Sequence, residues 1–255
     1  MNIKNKTIVI TGGASGLGAA CAEMIVAEGG NAVMLDVNEE KGKMMENKLG
    51  RNSLFSQADV TNPESVSVAL GNAITRFGQI NGLVNCAGIG PAARVLGREG
   101  IHDLGLFTKT IGINLTGSFN MIRMVAEVMQ NNPPNEEGER GVIINTASVA
   151  AFEGQIGQAA YAASKGGIVS MTLPIAREFA RIGIRVMTIT PGIFHTPMMD
   201  NMSPEVQASL GAQVPFPSRL GQPSEYALLA KQIFENPMLN GSVIRLDGAI
   251  RMTPK

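Results

Sequence analysis

The residues best suited to catalysis are a tyrosine and a lysine that stand four positions apart. Tyr161 and Lys165 would lie on one face of a helix, one turn apart. A phenol has a reference pKa of about 10, and a fixed ammonium nearby lowers it toward the range in which general acid/base catalysis is efficient. Ser148 precedes Tyr161 by thirteen residues and offers a hydroxyl that could hold a reacting oxygen. The three residues indicate a proton-transfer site; a surface tyrosine beside a solvated lysine is the alternative.

A glycine-rich turn follows the first apolar segment of the chain. Residues 6–11 contain a β-branched run that predicts a buried strand, and the turn Gly12–Gly18 leads into an apolar helical pattern. Glycines permit close approach of the backbone to a pyrophosphate, and the helix N-terminus offers free N–H groups. The spacing Gly-x-x-x-Gly-x-Gly departs from the common dinucleotide fingerprint. A simple helix-start turn is therefore the alternative.

An acidic residue ends the second apolar run. Asp36 follows residues 31–35 and lies twenty positions after Gly16. A carboxylate at this point of a dinucleotide-binding fold hydrogen-bonds the adenosine ribose and repels a 2′-phosphate. The residue before Ser15 is Ala14 rather than a basic residue, and no Lys or Arg directly follows Asp36. These features favour NAD over NADP, with an acidic helix cap as the alternative reading of Asp36.

The elements that must position these residues alternate along the chain. Apolar periodicity and turn signals predict strands at 6–11, 31–36, 53–58, 80–85, 140–147, 184–190 and 242–246. They predict helices at 16–29, 39–49, 63–77, 107–130, 161–182, 204–210 and 223–235. The glycine-rich, aperiodic stretch 90–105 is expected to be a loop at the edge of the site. The alternation is typical of an α/β protein with a doubly wound parallel sheet of seven strands and helices on both faces. Residues 1–255 are predicted to form one domain, and several polar candidates fall at predicted strand ends, where such sheets bind ligands.

The composition is that of an enzyme domain rather than of a nucleic-acid-binding or membrane-spanning protein. The 255 residues carry zero formal net charge, so no basic footprint for nucleic acid is expected. Two cysteines without ligand-rich neighbours and two histidines predict neither a disulfide framework nor a metal site. The first strand begins almost at Met1, and no apolar run is long enough to span a bilayer. A cytoplasmic location is the resulting expectation.

The motifs together resemble the short-chain dehydrogenase/reductase family over nearly the full chain, and this family has a Rossmann-type fold. Each motif is short, but their joint order and spacing are specific. The family usually has a second asparagine where this chain has Cys86. The matching residues are Thr11-Gly12-x-x-x-Gly16-x-Gly18, Asp59-Val60, Asn85-Cys86-Ala87-Gly88, Asn114, Ser148, Tyr161-x-x-x-Lys165 and Pro191-Gly192.

This resemblance implies a role for each matching residue. It implies that Tyr161 exchanges the proton and that Ser148 orients the substrate oxygen. Lys165 would act on Tyr161 and bind the nicotinamide ribose. Asn114 would be the fourth catalytic residue, which kinks its helix and holds a water. The implied NAD-binding residues are Gly12, Ser15, Gly16, Leu17, Gly18, Asp36, Asp59, Val60, Asn85, Cys86, Ala87, Gly88, Tyr161, Lys165, Pro191, Phe194 and Thr196. From the residues alone, Asn114 would be an ordinary helix-interior amide.

Three segments, 140–157, 214–221 and 235–252, resemble a subfamily that oxidises short 3-hydroxyacyl-CoA esters, including 2-methyl-branched ones, and some steroid alcohols. Between Ser148 and Tyr161, Gln155 and Gln158 are candidates to hydrogen-bond the thioester carbonyl. Segment 195–220 is expected to be a substrate lid. Its methionines could form an adaptable apolar surface for a substrate, and ordinary packing is an equal alternative for them. They are Met198, Met199 and Met202.

Two other functions remain open at this stage. The same machinery would serve a hydroxysteroid or other ring-alcohol dehydrogenase, and no residue separates this reading from the acyl-CoA reading. Arg94, Arg98 and Arg219 are candidates to bind CoA phosphates, with solvated surface positions as an equal alternative. A non-catalytic binding role is the second possibility, against which the full catalytic set argues. His195 and His102 are read as lid and loop residues, and the resemblance implies a homotetramer.

Overall fold

Seven parallel strands form the central sheet of the protein, in a computed structural model that describes residues 1–98, 100–199 and 202–254, apart from the side chain of Met198. A separate antiparallel pair, β5 and β6, lies between the fourth and fifth strands of the sheet along the chain. The strands are β1 (Thr7–Thr11), β2 (Asn31–Asp36), β3 (Ser53–Gln57), β4 (Gly82–Asn85), β5 (Leu96–Gly97), β6 (Gly100–Ile101), β7 (Gly141–Thr146), β8 (Ile184–Pro191) and β9 (Val243–Leu246). The sheet order is β3-β2-β1-β4-β7-β8-β9.

Helices connect the strands and cover both faces of the sheet. They are α1 (Gly16–Ala27), α2 (Glu39–Leu49), α3 (Pro63–Phe77), α4 (Leu104–Ile111), α5 (Ser118–Met129), α6 (Ala159–Phe179), α7 (Pro204–Ala212) and α8 (Pro223–Glu235). A π-helical segment, Gly112–Gly117, joins α4 to α5. Local signals explain several of the helix starts. The side chain of Asn62, for example, accepts hydrogen bonds from the backbone of Glu64 and Ser65, and Pro63 occupies the first helical position.

The core divides into two layers because the sheet is buried on both faces. Val9 of β1 packs with α3, α5 and α6, whereas Ile8 and Ile10 of the same strand pack with α1 and α8. Strands buried on both sides need apolar residues at every position rather than at alternate ones. This requirement explains the continuous apolar runs in β1, β2 and β7.

The register of the parallel strands brings their carboxyl ends to one edge. Thr11 of β1 pairs with Leu35 of β2 and with Asn85 of β4, and Asn85 pairs with Asn145 of β7. The strand order reverses between β1 and β4, which is where ligands bind in open α/β sheets. The strand ends that carry several of the candidate cofactor-binding residues therefore lie at the edge where such sheets bind ligands.

Three differences from the expected elements stand out. The single helix predicted over 107–130 is instead α4, the π-helical segment and α5. The loop predicted for 90–105 contains the pair β5–β6 and the start of α4. Helix α6 runs from Ala159 to Phe179, whereas 161–182 was predicted. Two positions of the predicted lid, 200 and 201, lie outside the described residues. No helix in the described ranges is long and apolar enough to cross a membrane.

Candidate active site

The glycine turn between β1 and α1 has the geometry of an anion cradle. Gly16 begins α1 at φ +54°, in the left-handed region that favours glycine. A Cβ atom at Gly18 would overlap the carbonyl oxygen of Gly12, so the turn closes only with glycine there. The first N–H groups of a helix have no intrahelical partner, and here they follow directly on Ser15. The turn can therefore accept a pyrophosphate on backbone N–H groups.

The carboxylate of Asp36 lies against this turn. Its Oδ2 atom accepts a hydrogen bond from the backbone of Ala14 at 3.2 Å, and Oδ1 accepts one from Asn38 at 3.0 Å. The side chain is thus held at the end of β2, beside the start of the cradle. A negative charge at this position suits ribose hydroxyls and opposes a 2′-phosphate.

Asp59 and Val60 follow β3 and differ in what they offer. Asp59 Oδ1 accepts hydrogen bonds from the backbone and hydroxyl of Thr61 at 2.8 and 2.7 Å, in an exposed turn. Val60 is buried, and its carbonyl oxygen accepts a hydrogen bond from Asn120 of α5 at 2.9 Å. Its side chain lies so close to Gly117 that a Cβ there would collide with it. Val60 therefore fixes the π-helical segment against the β3 end of the site.

The segment after β4 is held by β1. The Thr11 hydroxyl accepts hydrogen bonds from the backbone of Cys86 and Ala87, each at 3.1 Å. Asn85 is buried, and its amide donates to the side chain of Asn145 at 3.0 Å, so its side chain works within the sheet. The Cys86 thiol accepts from Thr146 at 3.5 Å. This arrangement leaves backbone, rather than the Asn85 amide or the Cys86 thiol, to face a cofactor.

Asn114 is the centre of the π-helical segment. It is fully buried, its Oδ1 accepts from the backbone of Ile89 at 2.8 Å, and its Nδ2 donates to the carbonyl oxygen of Ile89 at 2.9 Å. Nδ2 also donates to the hydroxyl of Ser164 at 3.0 Å. A Cβ at Gly88 would lie 3.1 Å from Asn114 Oδ1 and 3.7 Å from Lys165 Nζ. The wide turn thus places an amide beside Gly88 and the lysine, as π-bulges at functional sites often do.

Ser148 and Tyr161 meet at the end of β7. The Ser148 hydroxyl accepts a hydrogen bond from the backbone of Ala150 at 3.1 Å, which orients it at the start of a short 3₁₀ turn. Burial raises the pKa of Tyr161, and a hydrogen bond with Ser148 opposes that rise. The sequence led us to expect a pKa lowered by Lys165. In the structure desolvation of the phenolate outweighs the other effects.

Lys165 is a buried cation. Its Nζ atom donates to the carbonyl oxygen of Thr146 at 2.8 Å and lies 5.7 Å from the centroid of the Tyr161 ring. Burial lowers its pKa to about 8, which still leaves most of the side chain protonated at neutral pH. The site therefore keeps a positive charge beside the phenol.

The segment after β8 closes over the glycine turn. Phe194 is buried and pairs with Gly221 in an isolated bridge. The side chains of Thr196 and Pro197 lie within 3.6 and 3.3 Å of a Cβ built on Gly16. Thr196, Phe194 and the strand end Pro191 are thus brought to the same edge as the cradle.

Other candidate residues have different surroundings from those expected. Gln155 donates from Nε2 to the carbonyl oxygen of Thr253 at 3.0 Å, and Gln158 accepts at Oε1 from the backbone of Gln155 at 3.0 Å. Arg219 makes a two-pronged ion pair with Glu225, at 2.7 and 2.8 Å, so its charge is already neutralised. Gln155, Gln158 and Arg219 are therefore engaged within the protein.

Sequence reasoning missed two supporting residues. Thr11 was part of a motif but carried no assigned role, although its hydroxyl holds the segment after β4. Ser164 links Asn114 to α6, because it also donates to the carbonyl oxygen of Tyr161 at 2.7 Å. The position of Ser164 directly before Lys165 was the only signal available for it.

This cofactor cradle and tyrosine–lysine–serine site on a doubly wound parallel sheet define a dinucleotide-dependent oxidoreductase. A model of the short chain dehydrogenase family matches residues 6–207, and the chain belongs to that family. It is 56% identical to the 3-hydroxyacyl-CoA dehydrogenase type-2 of Homo sapiens, over 99% of this chain and 98% of the relative. The crystal structure of a 3-hydroxyacyl-CoA dehydrogenase type-2 from Mycobacterium avium is 42% identical, with a TM-score of 0.95 and 98% of each chain covered.

A solved structure with bound cofactor is also similar. A 3-ketoacyl-(acyl-carrier-protein) reductase from Brucella melitensis, complexed with NADH, is 26% identical, with a TM-score of 0.87 and coverage of 98% of this chain and 100% of the other. Family membership, the Asp36 carboxylate and the glycine cradle agree on the cofactor. The protein is an NAD-dependent oxidoreductase.

Proposed function

We propose that this enzyme oxidises the secondary alcohol of a short-chain 3-hydroxyacyl-CoA, including 2-methyl-branched esters, to the 3-oxoacyl-CoA. The observation that carries the proposal is full-length identity of 56% to a relative with that activity in its name, together with a complete set of candidate catalytic residues at one edge. An enzyme site argues for function more strongly than a shared fold does.

The catalytic roles proposed for this chain follow from the geometry. The substrate hydroxyl would lie between Ser148 and Tyr161, whose side chains are close enough for the serine to lower the pKa of the phenol. When bound on these residues, NAD would supply the acceptor for the hydride that leaves the carbinol carbon. Tyr161, as phenolate, takes the hydroxyl proton in the same step and returns it in the reverse direction, while Ser148 stabilises the charge on the oxygen. Burial raises the pKa of Tyr161, so two positive charges, the protonated Lys165 and the nicotinamide ring of bound NAD, are proposed to favour the phenolate that this step needs.

Asn114 and the cofactor-binding residues are proposed to hold this arrangement. Asn114 ties the segment at Ile89 to α6 through Ser164, so it keeps Gly88 and Lys165 adjacent. We propose that the pyrophosphate lies on the turn Gly12–Gly18 and that Asp36 binds the adenosine ribose. The remaining proposed contacts, to adenine and nicotinamide, are Asp59, Val60, Ala87, Gly88, Pro191, Phe194 and Thr196.

A surface cavity lined in part by the loop before Tyr161 has the character of an acyl site. Its volume is about 550 Å³, and its lining is mainly apolar. One wall comes from Arg94, Val95 and Leu96, and the other from Ile156 and Gly157, which precede Tyr161. The apolar lining suits a short acyl chain. Arg94 supplies a positive charge at the rim for a CoA phosphate.

The experiment that tests the proposal compares substrates under one set of conditions. NADH formation would be measured with NAD and 3-hydroxybutyryl-CoA, 2-methyl-3-hydroxybutyryl-CoA, free 3-hydroxybutyrate and a 17-hydroxysteroid. We expect kcat/KM to be at least about a hundredfold higher for the CoA esters than for the free acid, because the acid lacks the remote binding groups of CoA. Turnover of the steroid alone would replace the proposal by the ring-alcohol alternative.

Two further properties are proposed, the assembly and the location. Phe119 of α5 and Leu173 of α6 are 49% and 43% exposed, and large apolar side chains exposed on these helices support a homotetramer. Light scattering in solution tests the assembly. A cytoplasmic location stays a prediction from the sequence.

A further inference from the structure

The loop between Ser148 and Tyr161 is held by a part of the chain that is distant in sequence. Residues 152–158 connect the turn after Ser148 to helix α6, which carries Tyr161. Two of its apolar side chains, Phe152 and Ile156, are each 52% exposed. A loop of this kind needs outside contacts to keep one conformation, because ordering each of its residues costs conformational entropy.

Three hydrogen bonds join this loop to the segment Met252–Pro254. The backbone of Met252 donates to Glu153 Oε2, Gln155 Nε2 donates to the carbonyl oxygen of Thr253, and the backbone of Ile156 donates to the carbonyl oxygen of Pro254. Each of these bonds is 3.0 Å long. This segment, residues 252–254, therefore lies along the loop and is called the strap below.

Glu153 connects the strap to the sheet. Its Oε1 atom accepts from Arg245 of β9 at 2.8 Å and lies 3.4 Å from Arg251. The hydrogen bond from Arg245 lowers the pKa of Glu153, so the carboxylate stays ionised. Arg245 also pairs with Asp247 at 2.6 Å and lies over the Phe152 ring at 5.7 Å. Both oxygens of Glu153 accept from Arg245 of the sheet, and Oε2 also accepts from Met252 of the strap.

The same loop also borders the cavity proposed to bind the substrate. Gly157 accepts a hydrogen bond at its carbonyl oxygen from Ala93 at 2.8 Å, and Ile156 and Gly157 form one wall of the 550 Å³ cavity. The amide of Ile156 is the one bonded to Pro254. The strap thus sets the position of a residue that lines the cavity.

We propose that Glu153 is a positioning residue that clamps segment 252–254 onto the loop and so fixes Ile156 in the wall of the substrate site. The inference rests on the proposed function in taking this cavity as the acyl site. The clamp acts on substrate binding rather than on the chemical step. Ser148 is oriented by Ala150 and Lys165 by Thr146, and neither contact involves the strap.

The test uses two variants and one matched control. Glu153→Gln weakens the charge-assisted bonds, and a chain ending after Arg251 removes the strap. For each we expect KM for 3-hydroxybutyryl-CoA to rise about tenfold, while kcat and the Kd of NADH stay within threefold. Glu28→Gln breaks the ion pair between α1 and Lys231 of α8, far from the loop, and should leave KM unchanged.

Combining the two changes separates a shared clamp from two independent defects. If both act through one contact, Glu153→Gln in the shortened chain should raise KM little further than the shortened chain alone. Unchanged KM in both variants overturns the proposal. Parallel loss of kcat, NADH affinity and thermal stability overturns it as well, because it would show a general structural role.

Amide hydrogen exchange at Ile156 gives a readout that does not depend on the substrate. Removal of the strap should speed exchange of this amide at least tenfold, since its acceptor is Pro254, while the amide of Ala162, bonded to Gln158, stays protected. Unaltered exchange at Ile156 contradicts the clamp. If the wild-type enzyme does not oxidise CoA esters, the proposed function fails, and the exchange result still decides the clamp.

Discussion

Lys165 lies over the ring of Tyr161, with its Nζ atom 5.7 Å from the ring centroid. Its hydrogen bond goes to the carbonyl oxygen of Thr146 at the end of β7. The position of the ammonium is therefore set by the strand end and not by the phenol hydroxyl. A cation held over an aromatic face is also attracted by the ring quadrupole. The tyrosine hydroxyl can be removed without releasing the lysine.

Replacement of Tyr161 by Phe should separate catalysis from cofactor binding. Tyr161→Phe keeps the ring and the Lys165 site but removes the proton-transfer group, so we expect kcat to fall about a thousandfold. The Kd of NADH, measured by fluorescence, should change less than threefold. Retention of more than a tenth of the activity would disprove the assignment of Tyr161.

The second tyrosine provides the control for this substitution. Tyr226 is fully buried, and its hydroxyl is 2.7 Å from that of Thr146. Tyr226→Phe removes the same atom from the same residue type, outside the proposed proton path. It should lower the free energy of unfolding by about 1 kcal/mol, the value of one hydrogen bond, and keep kcat within a few-fold of wild type.

Asp36 should determine the choice between NAD and NADP. Its carboxylate lies beside the glycine turn through the hydrogen bond from Ala14. Asp36→Asn removes the charge that repels a 2′-phosphate, so the ratio of kcat/KM for NAD to that for NADP should fall about a hundredfold. Glu39→Gln removes an equal charge on the next helix and is the control. An equal effect of both changes would point to general electrostatics rather than to a contact of Asp36.

The buried Lys165 should make stability depend on pH in the alkaline range. Burial lowers its folded pKa to about 8 from an ordinary 10.5. Between these values the unfolded chain binds more protons, so stability rises with pH, and below the folded pKa the penalty is constant. Relative to Lys165→Met, wild type should gain roughly 2–3 kcal/mol of unfolding free energy between about pH 7 and pH 10. Urea unfolding of both proteins at the two pH values measures this, and a constant difference would mean that the lysine is not desolvated.

Local signals were enough to predict most of the fold. The helices at 39–49, 63–77 and 223–235 have the predicted bounds, since caps and proline at the first helical position fix where they begin. The strands were visible as apolar runs because both faces of the sheet are buried. Their convergence at one edge then followed from the parallel topology.

Features that depend on distant contacts were not visible. The π-helical segment at 112–117 exists where Asn114 reaches Ile89 and Ser164, and neither partner lies on the same helix. Gln155 was expected to face a thioester, but its donor is used by Thr253, which lies 98 positions away. No periodicity within a segment encodes such pairs. The sequence therefore predicted the location of the site more accurately than the partners within it.

The most stabilising buried ion pair is expected at Arg185, far from the catalytic residues. Its guanidinium donates to Glu139 at 2.6 Å and to the carbonyl oxygens of Ile233 and Phe234 at 2.8 and 2.9 Å, at the end of α8. Both side chains of the pair are less than 10% exposed. Arg185→Leu leaves a buried carboxylate and helix carbonyls without this partner, so the free energy of unfolding should fall by about 3–5 kcal/mol in urea titrations.

An exposed ion pair serves as the comparison for Arg185. The side chains of Arg219 and Glu225 are 46% and 41% exposed, so Arg219→Leu should cost at most about 1 kcal/mol. Glu139 also pairs with the Met1 ammonium at 2.9 Å, so adding Glu139→Leu to Arg185→Leu should lower stability further, because it leaves that buried ammonium without its carboxylate. Equal costs for the exposed and the buried arginine would show that burial of the Arg185 pair adds nothing to the contact between α8 and the sheet.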